Sequence, residues 1–79
     1  MTRDERRFFN DIKNAVSDYD CSFEHYYDDD EFCVDVEVDL DDWGEYSDEI
    51  WDALESVIMD WGGYMDSDMN TYSLGVYLE

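Results

Sequence analysis

Asp35, Glu37 and Asp39 alternate with Val34, Val36 and Val38 in an unbroken period of two. On a strand, such alternate residues share one face and stand roughly 6.6–6.8 Å apart. Glu24 and Asp28 precede them at the spacing of a neighbouring strand, about 4.8 Å to the side. Asp41 and Asp42 follow. The result is a rigid two-dimensional array of carboxylates, whose chemistry is to attract cationic groups. The plain alternative is a solvated outer face. A purely structural face mixes signs, because like charges directly opposite one another destabilise a sheet. No Lys or Thr interrupts this one.

Asp28-Asp29-Asp30-Glu31 forms a four-acid turn between the two candidate strands. Asp suits turns, so a hairpin tip explains it. An anionic finger that enters a basic groove explains it too. Tyr26 and Tyr27 flank the tip, and aromatics next to charges are typical of the residues that dominate interface affinity. Trp43, Tyr46, Trp51 and Tyr64 are either further anchors or core. The candidate partner-binding set is therefore Glu24, Tyr26, Tyr27, Asp28, Asp29, Asp30, Glu31, Asp35, Glu37, Asp39, Asp41 and Asp42.

Other chemistry is poorly supported. Asp66-Ser67-Asp68-Met69-Asn70 matches the start of a calcium loop, but Thr71 stands where the sharp turn needs Gly and Tyr77 where a bidentate Glu belongs. Cys21, Cys33 and His25 have no recognised zinc spacing, and the strand parity points the two thiols to opposite faces, which disfavours a disulfide. His25 reads as a core or rim histidine. There is no Gly-rich phosphate loop and no nucleophile–base pair beyond a cysteine near His25, so the expectation is a protein that is not an enzyme and uses no cofactor and no metal.

These residues need elements to hold them. Thr2-Arg3-Asp4-Glu5 fits a capping box, and Phe8, Phe9, Ile12, Val16 and Tyr19 repeat at helical spacing, which predicts a helix from Arg3 to Ser17. Cys21 to Leu40 reads as a β-hairpin, with Tyr27 opposite Phe32 and Phe23 opposite Val36. A slip of one residue would send Phe23 to solvent. Asp41 to Gly44 reads as a loop and Ser47 as the N-cap of a second helix, with Ile50, Leu54, Val57, Ile58 and Trp61 as its apolar stripe and Gly62-Gly63 as its end. Tyr72, Leu74, Val76 and Leu78 alternate as a last strand, and Tyr64 to Asp66 is a candidate extra one. The expectation is one α+β domain over residues 1–79 in the order α-β-β-α-β, with an antiparallel sheet of three strands, or four with the extra one. Both helices lie on one face and the acidic face is open.

Charge frames all of this. The 79 residues hold 24 acidic and 4 basic side chains, a net charge of −20. Arg3, Arg6, Arg7 and Lys13 all fall in the first thirteen positions, and residues 14–79 carry no Lys or Arg. Almost none of the carboxylates can find an internal partner, and self-repulsion opposes folding. Solubility alone needs a net charge of only about 2–8 in a small domain. Aromatics at 18% argue against an acidic disordered tail, and the charge argues against direct nucleic-acid binding. No apolar run is long enough to span a membrane, and the N-terminus lacks an apolar signal region, so the expected address is cytoplasmic. Scaling of size with length gives a body about 30 Å across. That is roughly one net charge per 1.5 Å, against about one per 1.7 Å of duplex DNA.

The chain resembles the small acidic inhibitors encoded by phages and mobile elements, many of which act as DNA mimics. Anti-CRISPR proteins are the most similar in style; anti-restriction proteins and uracil-DNA glycosylase inhibitors share it. The resemblance rests on length, net charge, Asp28 to Glu31, the Asp35/Glu37/Asp39 strand and the α+β order, with no diagnostic motif. It implies a monomeric or dimeric protein in a bacterial host cell, whose acidic sheet face and hairpin tip bind the basic groove of a CRISPR effector or similar enzyme. Two other expectations fit the composition: a domain adapted to molar salt, and an immunity or antitoxin protein that neutralises a basic nuclease.

Overall fold

The computed structural model describes residues 1–78, in the order α1 (Arg3–Ala15), β1 (Cys21–Asp28), β2 (Glu31–Val38), α2 (Leu40–Trp61), β3 (Tyr64–Asp68) and β4 (Thr71–Tyr77). The four strands make one antiparallel sheet ordered β1-β2-β4-β3. The extra strand predicted at Tyr64 is therefore real and forms one edge of the sheet.

Period-two apolar residues build the inner face. Phe32, Val34 and Val36 of β2 stand opposite Val76, Leu74 and Tyr72 of β4, and all six are buried. Phe8 and Ile12 of α1 and Ile50, Leu54, Val57 and Ile58 of α2 close the same core. Both helices thus cover one side of the sheet. The hairpin register is the expected one, with Tyr27 opposite Phe32 and Phe23 opposite Val36.

Helix α1 begins as the capping box implies. Thr2 Oγ1 accepts from the Glu5 amide, and Glu5 Oε1 accepts from the Thr2 amide at 2.8 Å. The same carboxylate oxygen accepts from the Tyr27 hydroxyl at 2.8 Å, which ties the helix start to the hairpin. These donors hold the Glu5 carboxyl below its ordinary range, the backbone bond from Thr2 most of all. The helix ends at Ala15, two residues short of the expected Ser17.

The start of α2 corrects the sequence reading. Asp41-Asp42-Trp43-Gly44 is no loop but the first helical turn, and Ser47 is not the cap. Asp39 is the N-cap, so the hairpin strand stops at Val38 rather than Leu40, whose side chain is exposed. The Asp39 carboxylate accepts from the Asp41 amide at 3.2 Å, and its carbonyl accepts from the Trp43 amide at 2.8 Å. Asp41 and Asp42 sit in the first turn, where the helix dipole favours negative charge. The helix is kinked at Tyr46 (φ −122°, ψ 20°), so the boundary that Gly44 and Ser47 suggest survives as a bend. Gly62 ends α2 at φ 72°, a left-handed position that glycine adopts without strain. Replacing Asp39 with Ala is expected to cost about 1 kcal/mol, the usual worth of an N-cap, read as a lower urea midpoint with an unchanged slope.

Candidate functional site: an acidic sheet face

The pairing registers fix which residues share the outer face. One row across the four strands holds Glu24, Asp35, Ser73 and Asp66; the next holds Ser22, Glu37, Thr71 and Asp68. Toward the hairpin tip follow Tyr26, Cys33, Gly75 and Tyr64, then Asp28, Glu31 and Tyr77. Seven carboxylates share this face with no Lys or Arg among them. Glu24 stands directly opposite Asp35, and Asp28 opposite Glu31. Such like-charge pairs oppose sheet formation, and among the described residues no helix covers them.

Ser22, Phe23, Glu24, Asp35, Glu37 and Thr71 line a shallow depression of about 180 Å³ in this face. A second, of about 160 Å³, is lined by Asp20, Cys21, Ser22, Glu37 and Asp39 at the α2 end. Asp39 thus leaves the strand row in which the sequence placed it, yet stays beside Glu37 while capping the helix. Asp42 turns back to accept from the Asp20 amide at 2.8 Å, so Asp41 and Asp42 belong to the helix start.

The tip is tighter than the expected four-residue turn. Asp28 and Glu31 are paired strand ends, and only Asp29 and Asp30 form the loop, both at positive φ (49° and 67°). That is the signature of a two-residue type I′ hairpin, in which Asp is tolerated and Gly preferred. Tyr27 lies on the helix side, against Phe32 and Glu5. Of the two tip tyrosines only Tyr26 shares the acidic face, and its hydroxyl donates to Asp35 Oδ1 at 3.2 Å. Partial burial and that carboxylate raise its pKa.

Sequence reasoning missed Tyr77, Asp66 and Asp68 as members of this face and left Tyr64 open between an anchor and core. The alternation of Tyr64, Asp66 and Asp68 signals a shared strand face but not which strand that face adjoins. That segment is strand β3 and a tight hairpin with Met69 at φ 53°, and the Asn70 side-chain amide donates to the Val38 carbonyl at 2.7 Å. The hydroxyl end of the Tyr64 ring lies against Gly75, where a Cβ would come within 2.4 Å of Cζ. Only glycine admits so close an approach. The hydroxyl lies 3.8 Å from the Cys33 thiol, and the Glu31 carboxylate, then Cys33, push the Tyr64 pKa well above its ordinary value. Cys33 is consequently buried on the outer face.

The remaining candidates serve the fold. Both cysteines are free thiols; burial, helped by Asp20 and Asp42, raises Cys21 to about 11, and burial also raises Cys33. His25 sits at the rim between Phe9 and Phe32. Trp43, Tyr46 and Trp51 pack on the core. In α1, Arg6 donates to the Met1 carbonyl, and Lys13 lies 5.2 Å above the Phe9 ring. Among the described residues no cluster of three or more His, Cys, Asp or Glu is arranged to hold a metal ion, and no helix is long and apolar enough to cross a membrane. No protein-family model matches the chain, and a search of curated proteins finds no match.

Proposed function

We propose that the protein is a stoichiometric inhibitor of the DNA-mimic type, most similar in kind to an anti-CRISPR protein. Its acidic sheet face and hairpin tip occupy the basic nucleic-acid-binding groove of a CRISPR-Cas effector or similar DNA-binding enzyme. The observation that carries this reading is the set of seven carboxylates on one uncovered, rigid face, two pairs of them held directly opposite one another. Like charges held opposite one another oppose sheet formation, whereas a cationic groove would be attracted by them.

Size and charge density support it. The body measures 37 × 19 × 18 Å, more elongated than the sphere assumed from length. It presents about one net charge per 1.9 Å of its long axis, beside about one per 1.7 Å in duplex DNA. Association should be fast and electrostatically steered, and should weaken as salt shortens the Debye length below about 8 Å. No residue is assigned a catalytic role and no cofactor is required. The partner is a protein; the chain itself does not bind nucleic acid.

Bacterial lysate passed over the immobilised protein at about 0.15 M salt, with and without competing duplex DNA, tests the reading. Nucleic-acid enzymes should be retained and then released by the duplex. Retention of nothing specific, or retention indifferent to DNA, would refute it.

A further inference from the structure

The acidic face ends, toward the hairpin tip, in a row of aromatic rings. Tyr26 on β1 and Tyr64 on β3 bracket Cys33 and Gly75, and Tyr77 follows on β4 beside Glu31. The three rings are 39%, 50% and 64% exposed. Tyr64 sets the hydroxyl end of its ring against Gly75 and remains half exposed. Two of the rings stand beside carboxylates of the same central strand. The Tyr26 hydroxyl donates to Asp35, and Glu31 stands directly opposite Tyr77 in the sheet. Each of these carboxylates keeps further lone pairs free for other donors.

A ring face with a carboxylate fixed at its edge distinguishes between the two basic side chains. Guanidinium is planar: it stacks on an aromatic face and directs its N–H fork sideways into a carboxylate. Ammonium is a compact, strongly hydrated point charge and gains less from the ring. Bare phosphate mimicry needs only negative charge and draws no such distinction.

We infer that the Tyr26, Tyr64 and Tyr77 end of this face is an arginine-reading surface, made to stack guanidinium groups of an arginine-lined groove while Asp35 and Glu31 accept their N–H bonds. The inference rests on the proposed function and specifies the partner chemistry: the groove contacts this end through arginine rather than lysine. Aromatic rows on an open sheet also suit stacking of nucleic-acid bases, but the surrounding carboxylates repel the phosphates that would accompany them.

Titration with an oligo-arginine peptide and an oligo-lysine peptide of equal length tests this, followed by calorimetry at moderate salt. The arginine peptide should bind roughly tenfold tighter, the combined effect of two or three exposed cation–π contacts. In Tyr26→Leu/Tyr77→Leu, which leaves the Tyr64–Gly75 packing intact, the preference should fall to about threefold or less. Adding Tyr64→Leu should abolish it, with circular dichroism confirming the fold. Equal affinity of the wild type for both peptides would overturn arginine selection while leaving the acidic-groove reading in place. A preference that survives removal of all three rings would overturn the assignment to the tyrosines. If neither peptide bound, both this inference and the proposed function would fall.

Discussion

Replacing Glu24, Glu31, Glu37 with Gln and Asp28, Asp35, Asp66, Asp68 with Asn should make the protein more stable and abolish its binding. The two effects have one cause. Each amide is nearly isosteric with the acid and keeps an acceptor, so the Tyr26 bond to position 35 survives. Relief of the opposed pairs Glu24–Asp35 and Asp28–Glu31 is worth about 0.2–1 kcal/mol each. A gain of about 1 kcal/mol raises Tm by about 4–8 °C in a domain of this size. Binding should fall at least about a hundredfold, since even about 0.5 kcal/mol per charge over seven positions exceeds 3 kcal/mol. Thermal melts and retention of the target enzyme by the same variant read both signs. A variant that loses stability, or binds unchanged, contradicts a face maintained for its charge.

Phe32→Ala should leave little folded protein. Phe32 is 1% exposed, on the inner strand β2 near its hairpin end. Its ring meets Phe8 at 6.2 Å, His25 at 5.9 Å and Tyr27 at 5.6 Å, so it joins α1 to both hairpin strands. Removing a buried Phe costs about 3–5 kcal/mol. At about 0.05–0.15 kcal/mol per residue, a chain this short holds a total of similar size, and its self-repulsion places it toward the low end. Urea denaturation should show the midpoint moving to near zero. Met59→Ala, at a side chain 75% exposed, should stay within about 0.5 kcal/mol of the parent. Similar losses for both would show that the core is not where the structure places it.

Different physics made different parts of this molecule legible. The hairpin register could be read because one face is apolar over its whole length, and a one-residue slip would bury Asp35 and Glu37 in place of Val34 and Val36. The capping box of α1 was local and complete within Thr2 to Glu5. The start of α2 was hidden because Gly44 and Ser47 are strong local signals for a loop and a cap. A cap from Asp39 and two acids in the first turn outweigh them, leaving only the bend at Tyr46.

The candidate site was half legible. Glu24, Asp35 and Glu37 emerged from the β2 alternation and its pairing with β1. Asp66 and Asp68 join them only because β4 inserts between β2 and β3, a pairing between segments distant in the chain that no local pattern encodes. Tyr64 was left open between an anchor and a core residue, because its resting place is Gly75, whose missing side chain becomes meaningful only once β3 and β4 are paired. Tyr27 was counted with the anchors because it neighbours the tip, whereas its parity sends it to the helix side and to Glu5.

The most direct measurement is displacement. A captured enzyme is loaded with a fluorescent duplex, and the protein is titrated in while anisotropy is followed. Direct occupation of the groove requires the duplex to be released with one-to-one stoichiometry, and the seven-amide variant to release none at the same concentrations. An enzyme that binds the protein and keeps its duplex would contradict occupation of the groove by the acidic sheet face.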